Sequence, residues 1–319
     1  MLILSSNPCF DATFWVKDLV PGSVVRSMKN TYLPGSKGIN VARVGKTMGA
    51  KNVRLAVMLP KLEGEVFKEL LALENHNVSY LDIDGEIRKA ILINKENSLD
   101  STVIVGKGSE IKARDWERFC EFVKSLVKPG ELVTIMGSLP NNSPTDGLEQ
   151  ISKIIQQGGG VVLVDSSPAS LKSHGNVILD FISPNLDEAE ALINNTPDNV
   201  YLVDEINIQE RAMAAADKLQ GKIAKTVLIT SGKFGVALKT ESEHVWIPAY
   251  TLPDEKFKSS VGAGDSFVAG FAMYLEENPN QLQKAIQFGM ACAAAQCETF
   301  EPGNLIKNRA LEIFETGRA

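Results

Sequence analysis

The chain has 319 residues, of which 44% are hydrophobic and 23% charged, and its formal net charge is −6. This length and composition suit one large α/β domain with at most a small appendage. The negative charge argues against general nucleic-acid binding, which needs a basic surface. No apolar run approaches the roughly 20 residues of a membrane-spanning helix, so no membrane partner is expected.

The cysteines and the first residues indicate the cellular compartment. The four cysteines form no C-x-x-C pair, and unpaired thiols are typical of cytosolic proteins. Residues 1–6 lack the basic start of a signal peptide and have the composition of a first strand. We therefore expect a cytoplasmic protein.

Short β-rich runs alternate with helical patterns along most of the chain. Because this alternation builds βαβ units, it predicts a parallel, doubly wound sheet with helices on both faces. The predicted strands are 2–6, 53–59, 132–136, 161–165, 181–183 and 227–230. The predicted helices are 38–49, 64–75, 114–127, 145–158, 208–220 and 281–297.

Two segments interrupt this alternation. Residues 12–33 contain β-rich runs at 13–16 and 23–28, and residues 88–105 contain two more, with no helical pattern between the runs. We predict two β-hairpins inserted into the α/β frame of a single domain that spans the whole chain.

Two stretches near the N-terminus carry candidate ligand-binding side chains. Asp11 follows the first predicted strand, where ligands of doubly wound sheets bind, although a turn with a capping Asp is the alternative. In the run PGSKGINVAR, Gly35 and Gly38 flank Lys37, a cation suited to a sugar phosphate. Asn40, on the helix that follows, offers a donor and an acceptor to hydroxyls. The alternative for Lys37 is a solvated lysine in a loop.

The run Gly45-Lys46-Thr47 has the form of the end of a phosphate-binding P-loop. A P-loop needs a further glycine five positions before Gly45, where this chain has Asn40. A P-loop is therefore rejected.

Polar residues in the middle of the chain extend the candidate site. Arg88 begins the second hairpin beside Lys89, and a solvated Arg–Lys pair is one interpretation of these residues. Ser138 follows the buried strand 132–136 and is a candidate for contact with a sugar. Asn185 and Glu188 share one face of an emerging helix and could hold water on Mg²⁺. The alternative is an acidic helix start that the helix dipole favours.

The run TSGKFG forms a turn before a further β-rich stretch. Thr230, Gly232 and Gly235 belong to this turn, whose glycines would let a ligand come close to the backbone amides. A simple hairpin turn explains the same residues equally well.

The run SSVGAGDSFVAGF predicts a glycine-rich turn that leads into a helix. The first backbone N–H groups of a helix have no partner within it, so Gly262, Ala263 and Gly264 form a candidate anion hole. Asp265 stands at its rim. A carboxylate repels a phosphate, but it is useful there as a base that takes a proton from an attacking hydroxyl. The alternative is an Asp that caps a core helix.

The order of these motifs resembles that of the ribokinase-like (PfkB) carbohydrate kinase family. The family's motifs N-P-x-x-D, P-G-G-K-G-x-N-V-A-R, S-G-S-L-P, K-P-N-x-x-E, S-x-G-x-x-G and S-x-V-G-A-G-D-S have counterparts in the same order across 7–270. The P-G-x-K-G and G-S-L-P forms are most similar to the phosphofructokinase and tagatose-6-phosphate kinase branch. Ser36 and Ser183 stand where these motifs usually have Gly and Lys.

This resemblance implies a ribokinase-like α/β fold in which the small sheet, from about 12–33 and 88–105, lids the sugar site. In the family this lid often pairs with a second subunit, so a homodimer is expected. The resemblance also implies ATP- and Mg²⁺-dependent phosphorylation of a ketohexose phosphate. The most specific expectation is fructose 1-phosphate to fructose 1,6-bisphosphate, with fructose 6-phosphate and tagatose 6-phosphate as close competitors.

The resemblance further assigns roles to residues. Asp265 would be the base and 262–264 the anion hole, while Lys37 and Arg88 would hold the phosphate of the acceptor. The residues expected to bind the acceptor are Asp11, Gly35, Lys37, Gly38, Asn40, Arg88 and Ser138. The nucleotide would contact Asn185, Thr230, Gly232 and Gly235, and Glu188 would hold the metal through water.

Three other functions are considered. A kinase for an unphosphorylated sugar or nucleoside would not need Lys37 for an acceptor phosphate. A non-catalytic sugar-phosphate sensor would bind the sugar without releasing ADP. A dinucleotide-dependent oxidoreductase is disfavoured because Phe267 stands where the G-x-G-x-x-G motif needs its third glycine.

Overall fold

The computed structural model describes residues 1–96, 101–196 and 205–319, and its elements are named in chain order. The strands are β1 (Leu2–Ser5), β2 (Cys9–Val16), β3 (Ser27–Gly35), β4 (Arg54–Leu62), β5 (Asn77–Glu86), β6 (Arg88–Lys95), β7 (Ser101–Val105), β8 (Leu132–Met136), β9 (Val161–Asp165), β10 (Leu179–Ile182), β11 (Ala224–Thr230), β12 (Gly235–Lys239) and β13 (His244–Pro248). The helices are α1 (Lys37–Met48), α2 (Gly64–Leu73), α3 (Ala113–Leu126), α4 (Gly147–Gln157), α5 (Pro168–Lys172), α6 (Leu186–Asn194), α7 (Ile208–Leu219), α8 (Ala263–Glu277), α9 (Leu282–Cys297) and α10 (Lys307–Thr316).

The larger sheet has nine strands among the described residues, in the order β13-β12-β11-β10-β9-β8-β1-β4-β5. Neighbouring strands from β11 through β5 run parallel, and β12 and β13 add an antiparallel edge. The prediction of a mostly parallel, doubly wound sheet is confirmed.

Alternate side chains of the central strands supply two separate cores. Ile3 packs in the cluster under α1, α2, α8, α9 and α10, whereas Leu2 and Leu4 pack under α3, α4, α6 and α7. Full burial of each such side chain contributes about 1.5–3 kcal/mol. Strands buried on both faces are therefore almost wholly apolar, as β1 is.

Strand β1 lies where the chain order of the sheet reverses, between β8 and β4. Ligands of doubly wound sheets bind at this kind of switch point, beyond the carboxyl ends of the strands. The beginnings of α1 and α8 approach the same edge, because α1 packs against β1 and α8 packs against α1. This arrangement positions the candidate site.

The smaller sheet has the order β3-β2-β6-β7. Its two hairpins exist, but the expected strand at 23–28 is wrong, because β3 begins at Ser27. The N–H of Ser23 donates to the carbonyl oxygen of Val20 at 3.2 Å and closes a turn that includes Gly22 at φ 81°. Asp11 follows β1 as expected, but it lies within β2, so the alternative of a capping Asp in a turn does not hold.

No helix within the described ranges is both long and apolar enough to cross a bilayer.

Candidate active site

Asp265 lies in the first turn of α8, with only 7% of its surface exposed. Gly262 is the N-cap of this helix, and the Asp265 side chain forms no capping bond, so the capping alternative does not hold. Instead, Oδ2 of Asp265 accepts a hydrogen bond of 2.8 Å from Nδ2 of Asn40 on α1. The carboxylate that the glycine turn presents is therefore joined to the second motif predicted from the sequence.

The surroundings of Asp265 give it the proton affinity of a base that works near neutral pH. Burial raises the pKa of Asp265 to about 7, and the charges of Asp165 and Asp11 add to the rise. The Lys37 ammonium and the hydrogen bond from Asn40 act in the opposite direction. A pKa near the working pH is the optimum for a general base.

We expect activity to follow this ionisation. If Asp265 is the base, kcat/KM rises with pH through about 7, because only the ionised carboxylate accepts a proton. Initial rates at constant ionic strength from pH 5 to 9 measure the profile. A value of kcat/KM that does not change across this pH range would show that the ionisation of Asp265 does not control activity.

Lys37 lies in the first turn of α1, and its charge acts on Asp265. Its Nζ donates to Oδ1 of Asp165, at the end of β9, at 2.7 Å. Desolvation would lower the pKa of Lys37, but the carboxylates of Asp165, Glu188 and Asp265 outweigh it and raise the pKa above its ordinary value. Lys37 therefore stays charged between the candidate base and the candidate magnesium ligand. No local pattern in the sequence indicates the pair with Asp165, which lies 128 residues away.

The turn before α1 explains two residues of the second motif. Ser36 is the N-cap of α1, and its Oγ accepts from the N–H of Ile39 at 3.1 Å. Its φ of 170° is extended backbone, so serine at this position causes no strain. Gly38 lets α1 approach the sheet, because an added Cβ would lie 3.0 Å from Cβ of Ser5.

Asp11 and Gly35, both predicted to contact the acceptor, lie on adjacent strands of the small sheet. An added Cβ on Gly35 would lie 2.1 Å from Oδ2 of Asp11, so only glycine leaves room for this carboxylate. Sγ of Cys9 donates to Oδ1 of Asp11 at 3.2 Å. Burial raises the pKa of Asp11, against the charges of Arg43 and Arg88.

Arg88 and Ser138 meet around Asn7, just beyond the end of β1. Nη2 of Arg88 donates to the carbonyl oxygen of Asn7 at 2.9 Å, and Nδ2 of Asn7 donates to Oγ of Ser138 at 3.1 Å. Nε of Arg88 is buried and has no hydrogen-bond partner among the described residues. A buried guanidinium N–H that lacks a partner suits an anionic group of a ligand.

The candidate anion hole differs from the predicted one at Ala263. The N–H of Ala263 donates to the carbonyl oxygen of Ser260 at 3.1 Å, which leaves the amides of Gly262, Gly264 and Asp265 as the candidates for an anion. Gly262 has φ 81°, and an added Cβ would lie 2.9 Å from Cα of Pro302. An added Cβ on Gly264 would meet no described atom within 4 Å, so that position faces open space.

The candidate nucleotide residues adjoin one another at the ends of β10 and β11. Asn185 and Glu188 form a capping box on α6, in which Oδ1 of Asn185 accepts from the N–H of Glu188 at 2.8 Å and Oε2 of Glu188 accepts from the N–H of Asn185 at 2.9 Å. The N–H of Thr230 donates to the carbonyl oxygen of Pro184 at 3.1 Å. The structural alternative for the Asn185–Glu188 pair therefore holds, and a role with a ligand is additional to it.

The two glycines of the β11–β12 turn differ in their surroundings. Gly232 has φ 52°, and an added Cβ would meet no described atom within 4 Å. Gly235 has φ 143°, and an added Cβ would lie 2.4 Å from the carbonyl oxygen of Ile247. Gly235 is therefore required by the close approach of β13, whereas Gly232 leaves space beside the turn.

The donors that could serve Mg²⁺ are few. No group of three or more His, Cys, Asp or Glu side chains in the described part of the chain could hold a metal ion. Glu188 is half-buried, and its charge acts on Lys37 across the cleft. A single carboxylate fits Mg²⁺ bound through water, because this ion keeps several waters and uses one or two carboxylates beside substrate phosphates.

The site residues described above lie in a part of the chain that matches a known protein family. The model of the pfkB family carbohydrate kinases matches residues 4–309. The chain belongs to this family. It is 29% identical to the 1-phosphofructokinase of Bacillus subtilis, over 93% of this chain and 92% of the relative. It is 28% identical to a tagatose-6-phosphate kinase of Staphylococcus epidermidis, over 99% of this chain and 97% of the relative.

Among solved structures, phosphofructokinase-2 from Escherichia coli, in a complex with potassium, has a TM-score of 0.85 to this chain. The likeness covers 99% of this chain and 98% of that chain at 23% identity, and it shows that the two share a fold. The predicted ribokinase-like α/β fold is confirmed.

Proposed function

We propose that this pfkB-family kinase transfers the γ-phosphoryl group of ATP to a hydroxyl of a ketohexose phosphate. The observation that carries the proposal is the bond between Asp265 and Asn40 beside Lys37. This bond lies where the buried carboxylate of Asp265, the N-terminus of α8 and the Lys37 cation come together at the switch point of the sheet. In the transfer, the hydroxyl oxygen attacks the γ-phosphorus, its proton passes to Asp265, the bond to the β–γ bridging oxygen breaks, and ADP leaves.

The acceptor side supports a substrate that already carries a phosphate. Arg88 has a buried N–H without a described partner, and Ser138 lies in the same small group of side chains. Asp11 and Asn40 offer acceptors and donors to sugar hydroxyls, while Gly35 leaves room for the Asp11 carboxylate and Gly38 lets α1 pack close to β1. We propose that Arg88 holds the phosphate of the acceptor.

We propose that Lys37 acts mainly on the phosphoryl group in transfer. The carboxylates of Asp265 and Glu188 interact electrostatically with its ammonium. Ser183, where the family's motif usually has Lys, is buried, with a hydroxyl that has no partner among the described residues. Lys37 thus supplies a positive charge that position 183 does not provide, together with the amides of Gly264 and Asp265.

The nucleotide side supports ATP. Asn185, Thr230 and Gly232 line the ends of β10 and β11 next to Glu188, which would hold Mg²⁺ through water. When bound, this ion neutralises charge on the triphosphate.

The preferred acceptor is proposed to be fructose 1-phosphate, with fructose 1,6-bisphosphate as the product. Tagatose 6-phosphate and fructose 6-phosphate are the competitors. The names of the Bacillus and Staphylococcus relatives support fructose 1-phosphate and tagatose 6-phosphate equally. A coupled assay of ADP release over phosphorylated and free ketohexoses tests the proposal. We expect turnover with phosphorylated acceptors; preference for a free sugar would favour the other kinase class, and binding without ADP release would favour a sensor.

We further propose a homodimer through the small sheet, which would act as the lid of the sugar site. Its edge strands β3 and β7 expose Met28, Val103 and Ile104 at 55%, 47% and 53%. Apolar side chains on exposed sheet edges are typical of association surfaces. Sedimentation velocity is expected to show a dimer for the natural chain and a monomer for Ile104→Lys. A natural chain that sediments as a monomer would refute this arrangement.

A further inference from the structure

Arg43 joins the candidate base to two other parts of the protein through hydrogen bonds. Its Nη1 donates to Oδ1 of Asn40 at 3.1 Å, while Nδ2 of the same amide donates to Oδ2 of Asp265 at 2.8 Å. Arg43 and Asn40 lie three residues apart on α1, so they share one face of the helix. The amide of Asn40 is therefore held from both sides, by a guanidinium and by a carboxylate.

The two partners of Asn40 select one orientation of its amide. In the reverse orientation, the amide oxygen would face the carboxylate of Asp265 and the amide N–H₂ would face the guanidinium of Arg43. Both contacts would then be repulsive, because a carboxylate only accepts and a guanidinium only donates. The observed orientation engages Oδ2 of Asp265 and leaves Oδ1 for the proton of the substrate hydroxyl.

Arg43 is itself fixed by bonds that leave it little freedom. Nε and Nη2 form a two-point bond to the carboxylate of Glu74, at 2.7 and 2.5 Å. Nη2 also donates to the carbonyl oxygen of Pro34 at 2.6 Å, next to the end of β3. Such two-point pairs are geometrically specific, and only 14% of the Arg43 side chain is exposed.

A loop from the C-terminal part covers this arrangement. Gly303 has φ 78°, and an added Cβ would lie 3.1 Å from Cα of Asn40 and 3.2 Å from Cδ of Arg43. The bonds between Arg43 and Asn40 are therefore shielded on that side by closely packed backbone.

We propose that Arg43 is a positioning residue for the base, acting through Asn40, and that Glu74 and the Pro34 carbonyl keep it in place. This inference rests on the proposed kinase function. Arg43 would thereby couple the end of the lid strand β3 to the orientation of Asp265. Lys37, Asp165 and Asp11 also act on Asp265, and substitution of Arg43 removes none of them.

Arg43→Met tests the proposal, because it keeps the aliphatic stem and removes every donor. We expect kcat to fall about 10- to 100-fold, with little change in KM for ATP. The rise of kcat with pH should move to higher pH, because the Asn40 bond lowers the pKa of Asp265. Arg43→Lys should recover only part of the loss, since an ammonium has its donors on one nitrogen, whereas Arg43 reaches Asn40, Glu74 and Pro34 from three.

Arg54→Met is the matched control. Arg54 also forms a two-point pair with a glutamate, Glu131, and also donates to a main-chain oxygen, that of Leu126, at 2.8 Å. It is exposed to 18%, but it lies at the start of β4, at the opposite end of the strands from the site. We expect a similar loss of thermal stability with kcat and its pH profile unchanged.

A double-mutant cycle with Asn40→Ala shows whether Arg43 acts through Asn40. If it does, Arg43→Met costs little further kcat in the Asn40→Ala background. The proposal is overturned if the double variant shows the full product of the two single kcat losses. An unchanged kcat in Arg43→Met, or an equal loss of kcat in Arg54→Met, would also overturn it.

A readout without turnover separates this inference from the proposed function. The pKa of the Asp265 carboxyl can be followed by ¹³C NMR in the natural chain and in both arginine variants. We expect a rise in Arg43→Met alone. If the natural chain phosphorylates no ketohexose phosphate, the proposed function fails, whereas an unchanged Asp265 pKa in Arg43→Met overturns the positioning role whatever the activity.

Discussion

Asp265→Asn is expected to lower kcat about 10²- to 10⁴-fold, which is the usual contribution of a general base. The substitution keeps the shape of the side chain, so KM for both substrates should change little. Asn cannot accept the proton of the attacking hydroxyl, although it still occupies the position beside Asn40. Stopped assays at high enzyme concentration measure the residual rate.

The same substitution is expected to stabilise the folded protein above pH 7. Because the pKa of Asp265 is raised by burial to about 7, its stabilising protonated form is fully present below about pH 4 and is lost as pH rises through 7. Asn remains neutral, so Asp265→Asn should have a higher Tm than the natural chain at pH 8 and a similar Tm at low pH.

Asp115→Asn is the control for both measurements. Asp115 also lies in the first turn of a helix with 7% of its surface exposed, and it pairs with Arg118 on α3. We expect near-normal kcat and no gain in Tm. Near-normal kcat in Asp265→Asn would instead remove Asp265 from the reaction.

Lys37→Met is expected to lower kcat about 10²- to 10³-fold, comparable with the loss of one group that stabilises transition-state charge. The rise of kcat/KM with pH should also move to higher pH, because the Lys37 charge lowers the pKa of Asp265. Steady-state kinetics with each substrate varied in turn give kcat and both KM values.

Lys225→Met is the matched control for Lys37→Met. Nζ of Lys225 donates to Oδ1 of Asp180 at 2.7 Å, the same distance as in the Lys37–Asp165 pair. This pair joins the starts of β10 and β11, away from the site, and its loss should leave kcat unchanged. If Lys37→Met raises only KM for a phosphorylated acceptor, Lys37 holds the acceptor's own phosphate, and our assignment is wrong.

The parts of the fold that depend on local patterns were predictable from the sequence. The parallel sheet followed from the alternation of apolar runs and helices, and the glycine turn at Gly262 was identified by its composition. The start of β3 was not, because Val24 and Val25 have strand composition but lie in the turn region before Ser27. Strand β3 pairs with β2 only from Ser27 onward, and no local pattern in the sequence indicates where this pairing starts.

The candidate site was predictable as a set of residues but not as a set of contacts. The bonds from Lys37 to Asp165 and from Arg43 to Glu74 join residues 128 and 31 positions apart, and only the folded chain brings them together. Arg43 carried one usable signal, its spacing of three residues from Asn40 on a predicted helix. The Asn185–Glu188 spacing is the signature of a capping box, so the structural alternative was visible in the sequence.

Phosphorus NMR of the natural chain with ATP, Mg²⁺ and fructose 1-phosphate tests the kinase account most directly. We predict a new phosphomonoester resonance that grows as the γ-phosphate resonance of ATP declines, with no free phosphate. Intact ATP with every ketohexose phosphate, or release of free phosphate alone, would contradict the account.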